Sequence, residues 1–167
     1  MARDSKVTKT VPCHHINCKC CELIPVSDSF TINDLKVSSA PGNCSSYNVV
    51  YIFICNLCSK IYVGRTVQAL RSRVSAHRHN FYSLLANPSL NVNNDDDDTY
   101  SLGAHLVDEH NKLDRNDFND CYNVFILLNC SPSSLEINEH KFIQKLKALK
   151  PFGINSVDPF GIPLLDL

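Results

Sequence analysis

NVVYIFICNLCSKIYVGRT, residues 48–66, decides how the rest of the chain is read. Val49–Ile54 is an unbroken apolar run of β-branched and aromatic residues, the pattern of a central strand. Ile61–Gly64 reads as its short antiparallel partner, and Asn56–Lys60 is a polar connection of turn length. Tyr51 and Tyr62 then stand on neighbouring strands, and strand geometry can bring both hydroxyls to one face. Two core tyrosines with satisfied hydroxyls would fit this hairpin equally well. The Cys55-x-x-Cys58 pair in the connection, and the residues around the hairpin, point further.

Working outward, 167 residues suit one domain with a small appended module. A chain 44% hydrophobic and 20% charged can bury a real core. Net charge is −1, so no global basic field announces a nucleic-acid partner, and any such footprint must be local. No apolar stretch approaches the roughly 20 residues that cross a bilayer. The opening MARDSKVTKTVPC is polar and lacks the apolar run of a secretory signal, so an intracellular chain with no membrane partner is expected. Nine cysteines and seven histidines in such a chain point to metal or chemistry rather than disulfides. Cys121 and Cys130 flank an apolar run and read as small core residues.

Residues 1–45 are Cys/His-rich, then rich in Ser, Pro and Gly, with little periodicity, and form the appended module. Residues 46–158 form the main domain and 159–167 a tail. Val67–Leu85 reads as a helix whose apolar stripe is Leu70, Val74, Phe81 and Leu85. Asn87–Thr99 is a polar, acidic loop, and Ser101 caps a short helix through His110. Tyr122–Leu128 is a third strand. Ser133 or Ser134 caps a last helix running to about Leu149, stopped by Pro151.

Two helices carry charges that break local rules. Glu139 falls inside the stripe Leu135, Phe142, Ile143, Leu146 and Leu149. A buried glutamate needs a partner: an arginine, a metal ion or a site. Arg73 and His77, i and i+4 on the first helix, lie beside its stripe and apart from the outer Arg71 and Arg78. Arginine is suited to planar, bidentate recognition of phosphate. Two tyrosines, an arginine, a histidine and a semi-buried glutamate together have the composition of a phosphodiester-cleaving site.

The motifs Val49-Val50-Tyr51, Tyr62-Val63-Gly64, Leu70-x-x-Arg73-x-x-x-His77, Glu139 in EHKFIQKL and Asn155 in PFGIN occur in the order of the GIY-YIG nuclease family, which this chain resembles from Asn48 to Asn155. It departs in having VVY where the family has GIY. The resemblance implies an α+β fold, a small three-stranded antiparallel sheet flanked by helices. It also implies hydrolysis of DNA phosphodiesters with one divalent cation, Mg²⁺ or Mn²⁺. Tyr51 and Tyr62 would orient or deprotonate the attacking water. Arg73 would stabilise charge on the phosphate, His77 assist proton transfer, Glu139 hold Mg²⁺ and Asn155 support the site. DNA contacts are expected from Arg65, Arg71, Arg78 and His79, with Lys141, Lys145, Lys147 and Lys150 on the last helix as further candidates.

Cys55 and Cys58 form half of a tetrahedral zinc site, and His105 and His110 are the best remaining ligands by order and spacing. Cysteines between the tyrosine motifs and histidines downstream resemble the endonuclease of Penelope-like retroelements, as does the upstream PCHHINCKCC. That branch implies a structural Zn²⁺, nicking of target DNA in the nucleus and a reverse transcriptase as companion domain. A zinc-binding nucleic-acid module without catalytic activity is the alternative. Cys13, Cys18, Cys21 and Cys44 are a second candidate zinc set, with Cys20, His14 and His15 as rival ligands. The acidic run Asp95–Asp98 reads as a solvated loop, not a metal cluster.

Overall fold

The computed structural model describes residues 6–91 and 97–160. Within the Cys-rich segment β1 (Thr10–Val11) pairs in parallel with β4 (Gly42–Asn43), and β2 (Ser29–Ile32) forms an antiparallel hairpin with β3 (Leu35–Ser38). The central sheet holds β5 (Val49–Cys55), β6 (Ile61–Thr66) and β7 (Tyr122–Asn129). Its order is β6-β5-β7 and both pairings are antiparallel. The helices are α1 (Leu70–Ala86), α2 (Ser101–His110), α3 (Asp117–Cys121) and α4 (Leu135–Leu146). The fold is therefore mixed α+β, as expected. None of the described helices is long and apolar enough to cross a membrane.

The unbroken apolar run of β5 has a simple cause: the strand is covered on both faces. Val49, Tyr51, Phe53 and Cys55 pack with residues of α1, α2 and α3, together with Leu23 and Cys44 of the N-terminal segment. Val50 and Ile52 pack with α4 and with Ile32 and Val37 of the β2–β3 hairpin. The N-terminal segment, expected to be poor in regular structure, thus supplies strands and buried side chains to both cores. It also meets the backbone of β7: the Ala40 N–H donates to Ile126 O at 2.7 Å, and the Ile126 N–H donates to Thr10 Oγ1 at 3.0 Å. An otherwise open edge of the sheet is covered in this way.

Several helix boundaries and faces differ from expectation. The first helix begins at Leu70, not Val67, and its leading N–H groups are taken by the carbonyls of Ser46 (2.8 Å) and Cys44 (2.7 Å). Its inner face closes with Leu84, while Leu85 is only half-buried. Ser101 is the first helical residue rather than a cap, and its hydroxyl donates to Asp98. The last helix stops at Leu146 because Lys147 takes a left-handed conformation, φ 54°. Lys147 and Lys150 are consequently not helical. Cys121 is buried as expected, whereas Cys130 is only partly so.

Candidate functional site

The strand register places Tyr51 opposite Gly64 and Phe53 opposite Tyr62, so both tyrosines point to the α1 side of the sheet. Both are buried, as is His77 below them. The Tyr51 hydroxyl sits 2.8 Å from His77 Nε2 and accepts from Arg73 Nε at 3.3 Å. Burial pushes the Tyr51 phenol up to about 12, against the pull of Arg73, and holds Tyr62 well above its usual range. Burial, reinforced by the neighbouring Arg73, drops His77 to about 3. At neutral pH the tyrosines are therefore phenols and His77 is an uncharged imidazole. The Tyr51 O–H then donates to His77 Nε2, leaving the oxygen to accept from Arg73.

Glu139 comes from α4, across the sheet, and is 8% exposed. Its partner is Arg65, which forms an ion pair with it. Arg65 was expected among the DNA contacts, but alternation along β6 puts it on the face of Ile61 and Val63, toward α4. Burial nonetheless raises the Glu139 carboxyl to about 7, with Arg65 opposing the shift. A cavity of about 310 Å³ opens beside this edge, lined by Arg65, Thr66, Val67, Gln68, Arg73 and Leu135. Asn155 is fully buried, and its side-chain amide bridges both backbone groups of Val63 at 2.9 Å. It completes the edge of β6 as a strand neighbour would.

Asp98 is a residue that sequence reasoning missed. Asp95 and Asp96 lie outside the described residues, and Asp97 accepts from the Thr99 N–H in an exposed turn. Asp98 instead turns inward. Its Oδ1 accepts from the Ser156 N–H and the Ser101 hydroxyl, and its Oδ2 accepts from Asn155 Nδ2 at 3.3 Å. Burial raises its carboxyl above the ordinary range, and its field acts on Tyr51, Tyr62 and Glu139. A signal was available: Asp98 lies three residues before Ser101, the first residue of α2, close to a helix N-terminus where acidic residues are favoured.

No protein-family model, curated protein or solved structure matches this chain.

Two further groups of side chains converge. Cys55, Cys58, His105 and His110 present one ligand atom each, all within 4.8 Å of one another. Cys55 Sγ lies 3.6 Å from His110 Nε2 and Cys58 Sγ lies 3.3 Å from His105 Nε2. A tetrahedron with bonds of about 2.3 Å to sulfur and 2.0–2.1 Å to nitrogen has sulfur–nitrogen edges of about 3.6 Å, so the set fits zinc. Burial pushes the Cys55 thiol up to about 11 and keeps His105 neutral. Cys55 would thus keep its proton in water alone and release it to solvent when a cation takes its place on the sulfur. Glu109, one helical turn after His105 and 3.4 Å from its Nδ1, orients the ring. That i,i+4 pairing was legible in SLGAHLVDEH and went unread.

Cys13, Cys18, Cys21 and Cys44 converge equally, with sulfurs 3.6 Å apart for Cys13–Cys21 and 3.7 Å for Cys21–Cys44. Cys20 is buried in the core behind them, and His14 and His15 are exposed outside the group. Each group could hold a zinc ion. Among the remaining candidates, Arg71 and His79 are exposed on the outer face of α1, and Arg78 is half-buried there. Lys141 and Lys145 are exposed on α4.

Proposed function

We propose that this chain is a metal-dependent DNA endonuclease of the GIY-YIG type, nearest in its motifs to the endonuclease of Penelope-like retroelements, and that it nicks target DNA in the nucleus. One observation carries the reading. The Tyr51 hydroxyl is held between His77 and Arg73, the residues that the motif order assigns to one site. Neutral His77 fixes the direction of the Tyr51 proton. Tyr51 oxygen, itself fully buried, then accepts from Arg73 and so fixes the guanidinium that lines the cavity, where the attacking water would be positioned. A phosphate entering the cavity meets the guanidinium groups of Arg65 and Arg73, which stabilise charge building on its oxygens. Glu139 would hold Mg²⁺ through its carboxylate oxygens, the donor type that this cation prefers. When bound, that cation supplies Lewis-acid neutralisation of the phosphate. Zn²⁺ in the cysteine groups is structural, and a reverse transcriptase is the companion activity for such a nickase.

A second reading, a zinc-dependent DNA-binding module without cleavage, is favoured by the Arg65–Glu139 pair, which gives Glu139 a side-chain partner within the chain. The two readings separate on supercoiled plasmid with Mg²⁺ or Mn²⁺. The expected outcome is nicked circles from the wild-type chain, and loss of nicking with retained DNA binding in Glu139→Gln. A wild-type chain that binds plasmid and leaves it closed under both metals is the binding module instead.

A further inference from the structure

Outside the site, the outer face of α1 borders a cleft of about 460 Å³ whose opposite wall is the cysteine-bearing turn. Asn17 and Lys19 line it from the turn, and Arg71, Ser72, Ser75 and Arg78 line it from the helix. Three cations and three neutral polar groups thus face one space, Cys18 and Cys20 complete its wall, and no carboxylate lines it. The arginines are held by neutral partners: Arg71 donates to Ser45 Oγ at 3.1 Å and Arg78 to Asn119 Oδ1 at 3.2 Å. These bonds orient the guanidinium groups, and a carboxylate whose field reaches Arg78 is that of Glu22, which Asn119 also holds at 2.7 Å. Lys19 does pair with Glu22, at 3.2 Å, but both side chains are more than half exposed, and such a pair is worth little and yields readily. The adjoining cavity of about 270 Å³ shares Lys19 and Arg78 and adds Arg115, but Glu22 and Asp120 offset two of these three cations. The first space has the larger excess of cations over carboxylates.

We propose that this cleft binds the phosphates of one strand of duplex DNA, at a distance from the catalytic edge of the sheet. The inference rests on DNA being the ligand, not on cleavage. Arg71, Ser75 and Arg78 stand at i, i+4 and i+7, a stripe rising about 10 Å along the helix. That length matches about three nucleotides of one strand at 3.4 Å each, so the stripe suits a polymer rather than a single free phosphate. Arg73 and His77 occupy the inner face of the same helix, so one element presents backbone contacts outward and site residues inward. The turn is fixed to the helix through Cys44, whose carbonyl accepts from the Arg71 N–H at 2.7 Å. Folding of the cysteine group therefore shapes the cleft.

Fluorescence anisotropy of a labelled duplex, without added Mg²⁺ and at several salt concentrations, tests this in the full chain. Lys19→Ala and Ser75→Glu are suited to it, since both positions are exposed and neither is among the proposed site residues. Each variant should melt like the wild type. Each should bind roughly fivefold or more weakly near 0.1 M salt, and Lys19→Ala should flatten the salt slope by about 0.9. Inorganic phosphate at matched ionic strength should leave the wild-type curve unchanged. Wild-type affinity and slope in both variants would overturn the proposal, as would specific displacement of the duplex by phosphate. Nicking assayed in parallel keeps the readings apart. A chain that never nicks, but whose two variants bind weakly, loses the nuclease reading and keeps the cleft. A wild-type chain that binds no duplex loses both.

Discussion

Gly64 shows what a single residue contributes here. It lies directly opposite Tyr51 in the β5–β6 pair, and a Cβ at that position would overlap the Tyr51 ring and hydroxyl. The glycine of the Tyr62-Val63-Gly64 motif is thus required for space, because the tyrosine ring crosses over its backbone to reach Arg73 and His77. Gly64→Ala should cost roughly 1–3 kcal/mol of stability by overpacking. It should also cut nicking in the molecules that remain folded. A denaturation curve and a nicking assay on the same preparation check this, and an alanine variant with wild-type melting and rate would refute it. Glu139 makes the opposite case, a residue whose presence is unfavourable to the fold at working pH. Its folded carboxyl titrates near 7, above the unfolded value of about 4.3, so the folded state holds a proton more firmly. The stability it contributes is fully present below the unfolded value and is lost as pH rises through 7. Glu139→Gln should therefore raise the melting temperature at pH 8 and leave it nearly unchanged at pH 4. Lower melting at pH 8 would mean that the Arg65 pair is a net stabiliser.

Among the elements, the β5–β6 turn is the one that cannot explain itself locally. Cys58 is exposed at its tip and Ser59 takes a left-handed φ of 66°, with little apolar surface to order either. α2 brings His105 and His110 to that tip, and one shared ion would join helix to hairpin. Zinc bound this way contributes directly to folding. Cys58→Ser should lower the zinc content by one equivalent and reduce the melting temperature by several degrees, since about 1 kcal/mol shifts it by roughly 2–4 °C at this size. Elemental analysis and a thermal melt of chain prepared without chelator are the measurements. Chain free of zinc, with an unchanged melt in the variant, would remove the ion from this account. The regular elements were largely legible: the three central strands follow from apolar runs, and α2 spans the Ser101–His110 segment read as a short helix, although Ser101 is not its cap. Boundaries were less so. The carbonyls of Cys44 and Ser46 set the start of α1, and these are backbone groups from another segment, on which residues 67–70 carry no information.

Across the whole molecule, the N-terminal segment is part of the core. Leu23 and Cys44 are fully buried among residues of β5, α1 and α3, and Phe30 stacks on Phe125 of β7 at 4.6 Å between ring centroids. Residues 6–45 show weak periodicity because their contacts are scattered over both faces of the sheet. A helix or strand that buries one regular face leaves a period in the sequence; a segment that wraps leaves isolated apolar positions.

What the sequence determined by itself was the inventory. Strand-length apolar runs, helical stripes and the order of tyrosine, arginine, histidine and glutamate are properties of neighbours along the chain. The cysteine and histidine spacings also pointed to the ligand sets that converge. The tertiary structure decided the partners. It paired Arg65 with Glu139, turned Asp98 toward Asn155 and Ser156, and set Lys19 against the outer face of α1. Such contacts join residues far apart in sequence, and burial together with hydrogen-bond satisfaction selects them only once the sheet and helices have met. The same holds for charge. A tyrosine, a histidine and a glutamate have ordinary titration in an extended chain, and desolvation in the folded core moves each of them.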